Sequence, residues 1–254
     1  MPIAMITGAS RGVGRGIAIA LAAEGYDVFA TGRSIAQADL PASITRIPCD
    51  HLDDNQTAAA FARLPGTGLD LLVNSSWGGY ERMMEDGKFT WGLPFWEQPE
   101  HRWPAMMDAG VRAAFVASQH AARRMSPAGR GLIVNISHWA ARKHLGNVIY
   151  GISKAATDKL TADTAHELRP HGIAAVSLYP GMVRTEAVMA AAQWLDLSNS
   201  ESPEFAGHVI AALALDARLM DRSGQALVSA ALALQYGVAD IDGRQPTPLT
   251  FETV

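Results

Sequence analysis

The 254 residues carry a formal net charge of −4 with their 21 Lys and Arg scattered, which excludes a basic stripe that would track a nucleic-acid backbone. Apolar residues make up 48% and charged residues 18%, which excludes the composition of a disordered chain. A single cysteine, Cys49, excludes an intrachain disulfide, and no stretch approaches the roughly 20 apolar residues of a membrane span; the expected setting is the cytoplasm, with no membrane and no nucleic acid as partner.

Short β-branched or apolar runs alternate along the chain with helix-period segments, the pattern of repeated βαβ units. Strands are predicted at residues 3–6, 27–31, 44–48, 69–74, 131–136, 173–178 and 225–229, most of them without in-and-out alternation, as expected where helices cover both faces of a sheet. Helices are predicted at 13–24, 56–64, 106–125, 150–169 and 204–215, several closed by Gly25, Pro65, Pro127 or Pro170-His171-Gly172. The expected fold is α/β: a three-layer, doubly wound parallel sheet of the Rossmann type with about seven strands, in one domain covering residues 1–254. Two segments break the rhythm and are expected to act as pocket wall and lid. One, 77–104, carries Trp77, Tyr80, Met83, Met84, Phe89, Trp91, Phe95 and Trp96; the other, 186–203, carries Trp194.

Thr7-Gly8-Ala9-Ser10-Arg11-Gly12-Val13-Gly14 joins the first strand to the first helix. Gly8 permits a tight turn, Gly12 and Gly14 permit close approach of a pyrophosphate and of helix to strand, and the helix N-terminus offers free N–H groups to phosphate. At the end of the second strand, where a dinucleotide-binding fold often places an acid on the ribose of NAD, the chain reads Thr31-Gly32-Arg33-Ser34. No carboxylate would repel a 2′-phosphate there, and Arg11 and Arg33 approach it from two sides, so NADP(H) is expected over NAD(H). Asp50 is either an acceptor for the adenine amino group or a helix cap.

Tyr150 and Lys154 stand at i and i+4 on one helix face, and Ser137 ends the preceding strand. Ligands of an open parallel sheet bind beyond the carboxyl ends of its strands, where Ser137 and the glycine loop both fall.

Taken together, Thr7 to Gly14, Ser137, Tyr150 to Lys154 and Pro180-Gly181 resemble the short-chain dehydrogenase/reductase (SDR) superfamily over nearly the whole chain. The aromatic insertion, the run from Tyr150 to Glu167 and the closing Tyr236-Gly237 and Asp240 to Arg244 look most like the dehydrogenase/reductase SDR family member-1-type proteins. The resemblance implies that Tyr150 is the general acid or base, that Lys154 holds the nicotinamide ribose, and that Ser137 donates to the substrate oxygen. It implies cofactor contacts from Gly8, Ser10, Arg11, Gly12, Val13, Gly14, Arg33, Asp50, Asn74, Tyr150, Lys154, Pro180, Gly181, Val183 and Thr185. An apolar, bulky carbonyl or alcohol substrate would meet Trp77, Trp96, Trp139 and Trp194. A homodimer or homotetramer is implied by the helix from Tyr150, and no metal is expected, since the histidines lack ligand spacing.

An unperturbed Tyr titrates near ~10, so ionising it at neutral pH requires ~4 kcal/mol, of which one ammonium at about 5 Å supplies roughly 3. Carbonyl reduction needs only neutral Tyr150. Two departures from the superfamily pattern stand out. The run after the fourth strand is Asn74-Ser75-Ser76-Trp77 instead of Asn-Asn-Ala-Gly, and Gly110 takes the place of the asparagine that completes the usual tetrad. Glycine leaves space, and a proton relay through water and backbone carbonyls is expected there. The departures also motivate a rival reading, an NADP(H)-binding sensor or scaffold with little turnover, and cofactor-dependent epimerisation or dehydration is a third.

Overall fold

The structure, a computed structural model, describes residues 1–254. The chain runs β1 (Ile3–Thr7), α1 (Gly12–Ala23), β2 (Asp27–Gly32), β3 (Thr45–Pro48), α2 (Asp54–Ala62), β4 (Leu71–Asn74), β5 (Met84–Glu85) and β6 (Lys88–Phe89). After a π-type helical stretch at Pro104–Arg112 follow α3 (Ala113–Met125), β7 (Gly131–Ile136), α4 (Val148–Leu168) and β8 (Ile173–Tyr179). The remaining elements are α5 (Glu186–Ala190), α6 (Phe205–Ala214), α7 (Leu219–Arg222), β9 (Ala226–Val228) and α8 (Ser229–Tyr236).

Seven parallel strands form one sheet in the order β3-β2-β1-β4-β7-β8-β9. Their continuous apolar runs follow from burial on both faces. Ala4, Ile6, Leu71, Val73, Leu132, Val134, Ala174 and Val176 point to a layer with α1, α6 and α8; Met5, Leu72, Ile133 and Ala175 point to one with α2, α3 and α4. The strand order reverses between β2-β1 and β4, so the crevice lies beyond Thr7 and Asn74. Thr7 Oγ1 accepts from the N–H groups of Ser75 (3.1 Å) and Ser76 (3.3 Å), which holds the altered run against β1.

The helix predicted at 106–125 is two elements. Ala113 N–H donates to Asp108 O, one residue beyond the α-helical partner, and regular α-helix begins only there. The helix predicted from Tyr150 begins at Val148, capped by Asn147. Within the insertion, β5 and β6 form an antiparallel hairpin around Asp86 and Gly87, both with positive φ (49° and 76°), as a type I′ turn requires.

Candidate active site

At the carboxyl end of β1, Gly8 adopts φ +67°, and a Cβ there would meet the Ser75 carbonyl oxygen at 2.6 Å. Gly14 lets α1 close on the loop, since its Cβ would fall 2.4 Å from Gly8 O. Ser10 Oγ is buried without a partner beside Gly32, whereas Val13 packs on the core of the α1 face. The first N–H of α1, that of Gly12, donates to Glu186 at 2.9 Å, and Arg15 pairs with the same carboxylate at 3.2 Å. Arg11 and Arg33 converge on Glu81 Oε1, at 2.6 and 3.2 Å. The chain's own carboxylates thus sit at the α1 N-terminus and on the arginine pair, cationic positions that fit the phosphates of a nicotinamide dinucleotide.

Asp50 accepts from Leu52 N–H at 3.1 Å; the cap of α2 is Asp53, which accepts from Asn55 and Gln56. Asn74 donates into the core, to Asn135 at 2.8 Å and Ser118 at 3.1 Å, while its Oδ1 is buried without a partner. Pro180 and Gly181 follow β8, Val183 is buried beside Glu201, and Thr185 caps α5 by accepting from Val188 N–H at 3.3 Å. Glu201, buried, accepts from Ser229 and from the Gly181 N–H, and burial pushes its carboxyl up to about 7.

Ser137, Tyr150 and Lys154 are all buried at the end of β7 and the start of α4. Asn147 fixes Tyr150: its side-chain oxygen accepts from Tyr150 N–H at 3.0 Å. Its amide donates to Trp91 O at 3.0 Å and Gln98 Oε1 at 2.9 Å, so the cap of α4 also clamps the insertion. Ser137 Oγ donates to Lys154 O at 3.3 Å, and Lys154 Nζ donates to Ile136 O at 3.1 Å. Burial pushes Tyr150 well above the ordinary tyrosine range and brings Lys154 down to about 8, with Asp158 opposing the latter shift. The phenol is thus a retained proton donor at neutral pH. His138, whose ring centre lies 5.8 Å from that of Tyr150, is held down to about 4 by burial and the Lys154 charge, and stays neutral.

The Tyr150 ring sits in an aromatic cage with centroids of Trp77, Tyr80 and Trp91 at 5.8, 6.1 and 5.3 Å, and Tyr80 donates its hydroxyl proton to Tyr150 Oη at 3.2 Å. Of the four tryptophans expected to meet substrate, Trp77 alone lies against Tyr150. Trp139 turns back onto Tyr179, with centroids 5.4 Å apart, and Trp96 and Trp194 stand 73% and 75% exposed in short turns. The space expected at Gly110 is closed by the Trp77 ring, which a Cβ on Gly110 would meet at 3.0 Å. Asn147, Tyr80 and Glu81 were not singled out for these roles. The asparagine immediately before an apolar helical run was the available signal for the first.

The short chain dehydrogenase family model matches residues 2–196. This chain belongs to the short-chain dehydrogenases/reductases. It is 38% identical to mouse "Dehydrogenase/reductase SDR family member 1", over 95% of this chain and 84% of that protein. Bovine L-xylulose reductase is 34% identical over 76% of this chain and 75% of its own. Among solved structures, a short-chain type dehydrogenase/reductase from Mycobacterium marinum superimposes with a TM-score of 0.72 at 27% identity, covering 89% of this chain and 93% of that one. A putative NAD(P)-dependent gluconate 5-dehydrogenase from Beutenbergia cavernae, with bound NADP, gives 0.73 at 27% identity over 90% and 94%. As a member of this family the chain is an oxidoreductase that uses a nicotinamide cofactor on small molecules. No helix is long and apolar enough to cross a membrane.

Proposed function

We propose that this SDR is an NADP(H)-dependent oxidoreductase acting between an alcohol and an apolar, bulky carbonyl compound, with Ser137, Tyr150 and Lys154 as its catalytic residues. The observation that carries the cofactor reading is the convergence of Arg11 and Arg33 on one carboxylate, with no acid at the end of β2. Gly8, Ser10, Gly12, Val13 and Gly14 would hold the pyrophosphate end, with the orphaned Ser10 hydroxyl as a free polar contact. Asp50 would face the adenine, the backbone at Asn74 the ribose side, and Pro180, Gly181, Val183 and Thr185 the nicotinamide. When bound, the nicotinamide supplies or accepts the hydride.

Tyr150 gives its proton to the carbonyl oxygen in reduction and takes one back in oxidation; its raised pKa favours the first direction at neutral pH. Lys154, charged below about pH 8, places a cation beside the phenol ring, with Nζ 5.8 Å from its centroid. Ser137 donates to the oxygen as negative charge develops there. The Trp77, Tyr80 and Trp91 faces around Tyr150 support an apolar substrate. Phe115 on α3 and Val148 and Ile152 on α4 are exposed apolar side chains that support self-association through these helices as a homodimer or homotetramer. The working assignment is one cytoplasmic domain of residues 1–254, the 186–203 segment serving as lid.

A panel of ketones, aldehydes and quinones assayed for NADPH oxidation tests this reading. Consumption of NADPH with formation of the matching alcohol or hydroquinone supports it; NADPH binding with no turnover across the panel contradicts it.

A further inference from the structure

Two neighbouring residues of the aromatic insertion reach opposite ends of the crevice. Tyr80 donates to Tyr150 Oη at 3.2 Å, and Glu81 bridges Arg11 (2.6 Å) and Arg33 (3.2 Å). Consecutive Cα atoms lie only about 3.8 Å apart, so a backbone shift that takes Glu81 off its arginines also draws Tyr80 off Tyr150. Arg11 and Arg33 have no other carboxylate partner. Their side chains are 67% and 60% exposed and that of Glu81 42%, so the bridge is the weak, solvent-screened kind.

We propose that Glu81 is a specificity-determining residue, a tethered stand-in for the 2′-phosphate whose displacement by NADP(H) also frees the catalytic hydroxyl from Tyr80. The proposal rests on the NADP(H) reading above and deepens it. A phosphate monoester brings nearly two negative charges and three acceptor oxygens to the arginine pair, against one charge from Glu81. A ribose 2′-hydroxyl brings neither, so NAD(H) leaves Glu81 on its arginines and Tyr80 on Tyr150. Glu186 provides the contrast. It covers the Gly12 N–H at the start of α1, where any dinucleotide places its pyrophosphate, and so it yields to both cofactors alike. The arginines then give selectivity in binding, which Glu81 tempers by competing with the phosphate, and Glu81 gives selectivity in turnover, because the 2′-phosphate alone releases the segment that covers Tyr150.

Titration of NADPH and NADH against the native protein, Glu81→Gln and Arg33→Ala tests the proposal by affinity, independently of turnover. Glu81→Gln is expected to tighten NADPH by about three- to fivefold and to leave NADH within about twofold. Arg33→Ala is expected to weaken NADPH far more than NADH. Unchanged or weaker NADPH binding by Glu81→Gln, with the Arg33 effect intact, would overturn the stand-in and spare the cofactor reading. Equal effects of Arg33→Ala on the two cofactors would overturn both. Adenosine 2′,5′-bisphosphate should speed amide hydrogen exchange over residues 77–91 in the native protein, and 5′-AMP should not; equal responses would overturn the link between Glu81 and Tyr80.

Discussion

The Lys154 ammonium lies 4.1 Å from the centre of the Trp77 ring, and that ring fills the space over Gly110. An ammonium held against an indole face in a water-poor site is stabilised by about 2 kcal/mol. The tetrad position and the altered run after β4 are therefore two sides of one contact: a Cβ at 110 would press on the Trp77 ring at 3.0 Å, and a side chain there must displace the indole.

Gly110→Asn alone should push Trp77 off Lys154, destabilise the fold by about 1–3 kcal/mol and slow turnover. Combining it with Trp77→Ala should recover part of both losses. A double-mutant cycle in urea denaturation and kcat measures the coupling, and strict additivity would show that the two positions act independently.

Asn147→Ala should cost about 2–3 kcal/mol, because it removes a helix cap and leaves buried partners unpaired. Asn147→Asp keeps the acceptor for Tyr150 N–H but loses the donors to Trp91 O and Gln98. It should preserve more stability than alanine while raising KM, since the insertion is no longer clamped. An aspartate variant with unaltered KM would contradict the clamp.

Much of this was legible in the sequence. The seven strands showed as apolar runs because helices bury both faces of the sheet, and the glycine loop, Ser137, Tyr150 and Lys154 carry local signals. Asp86-Gly87 is a hairpin signal passed over within a segment rich in aromatics. The pairing of Glu81 with Arg11 and Arg33, 70 and 48 positions away, leaves no periodicity to read. The same holds for Trp77 over Gly110, a matter of shape between two distant segments. Chain position puts Trp96 in the insertion, Trp139 after Ser137 and Trp194 in the 186–203 segment, all expected near substrate, but exposure or a turn toward Tyr179 removes them from the Tyr150 cage.

Glu201 gives a pH signature. Its carboxyl rises from 4.5 to about 7 on folding, so between these values the folded chain holds a proton that the unfolded chain has lost, and stability falls as pH rises through that window. Glu201→Gln should flatten this dependence and gain on the native protein by the order of 2 kcal/mol between pH 4.5 and 7. Parallel Tm curves for the two proteins would refute the assignment.

Lys154 has a second signature, in activity. Its charge is lost as pH rises through about 8, while Tyr150 keeps its proton, so the rate of carbonyl reduction should fall above pH 8. A flat profile from pH 7 to 9.5 in single-turnover reduction would count against a catalytic ammonium.

Tyr150→Phe keeps the ring in its cage and removes the hydroxyl proposed to move the proton. Single-turnover NADPH oxidation with a carbonyl substrate, alongside NADPH titration, measures the consequence. Turnover should fall by about 10²–10⁴-fold with NADPH affinity within about twofold of native; a variant that reduces the carbonyl at the native rate would contradict the account.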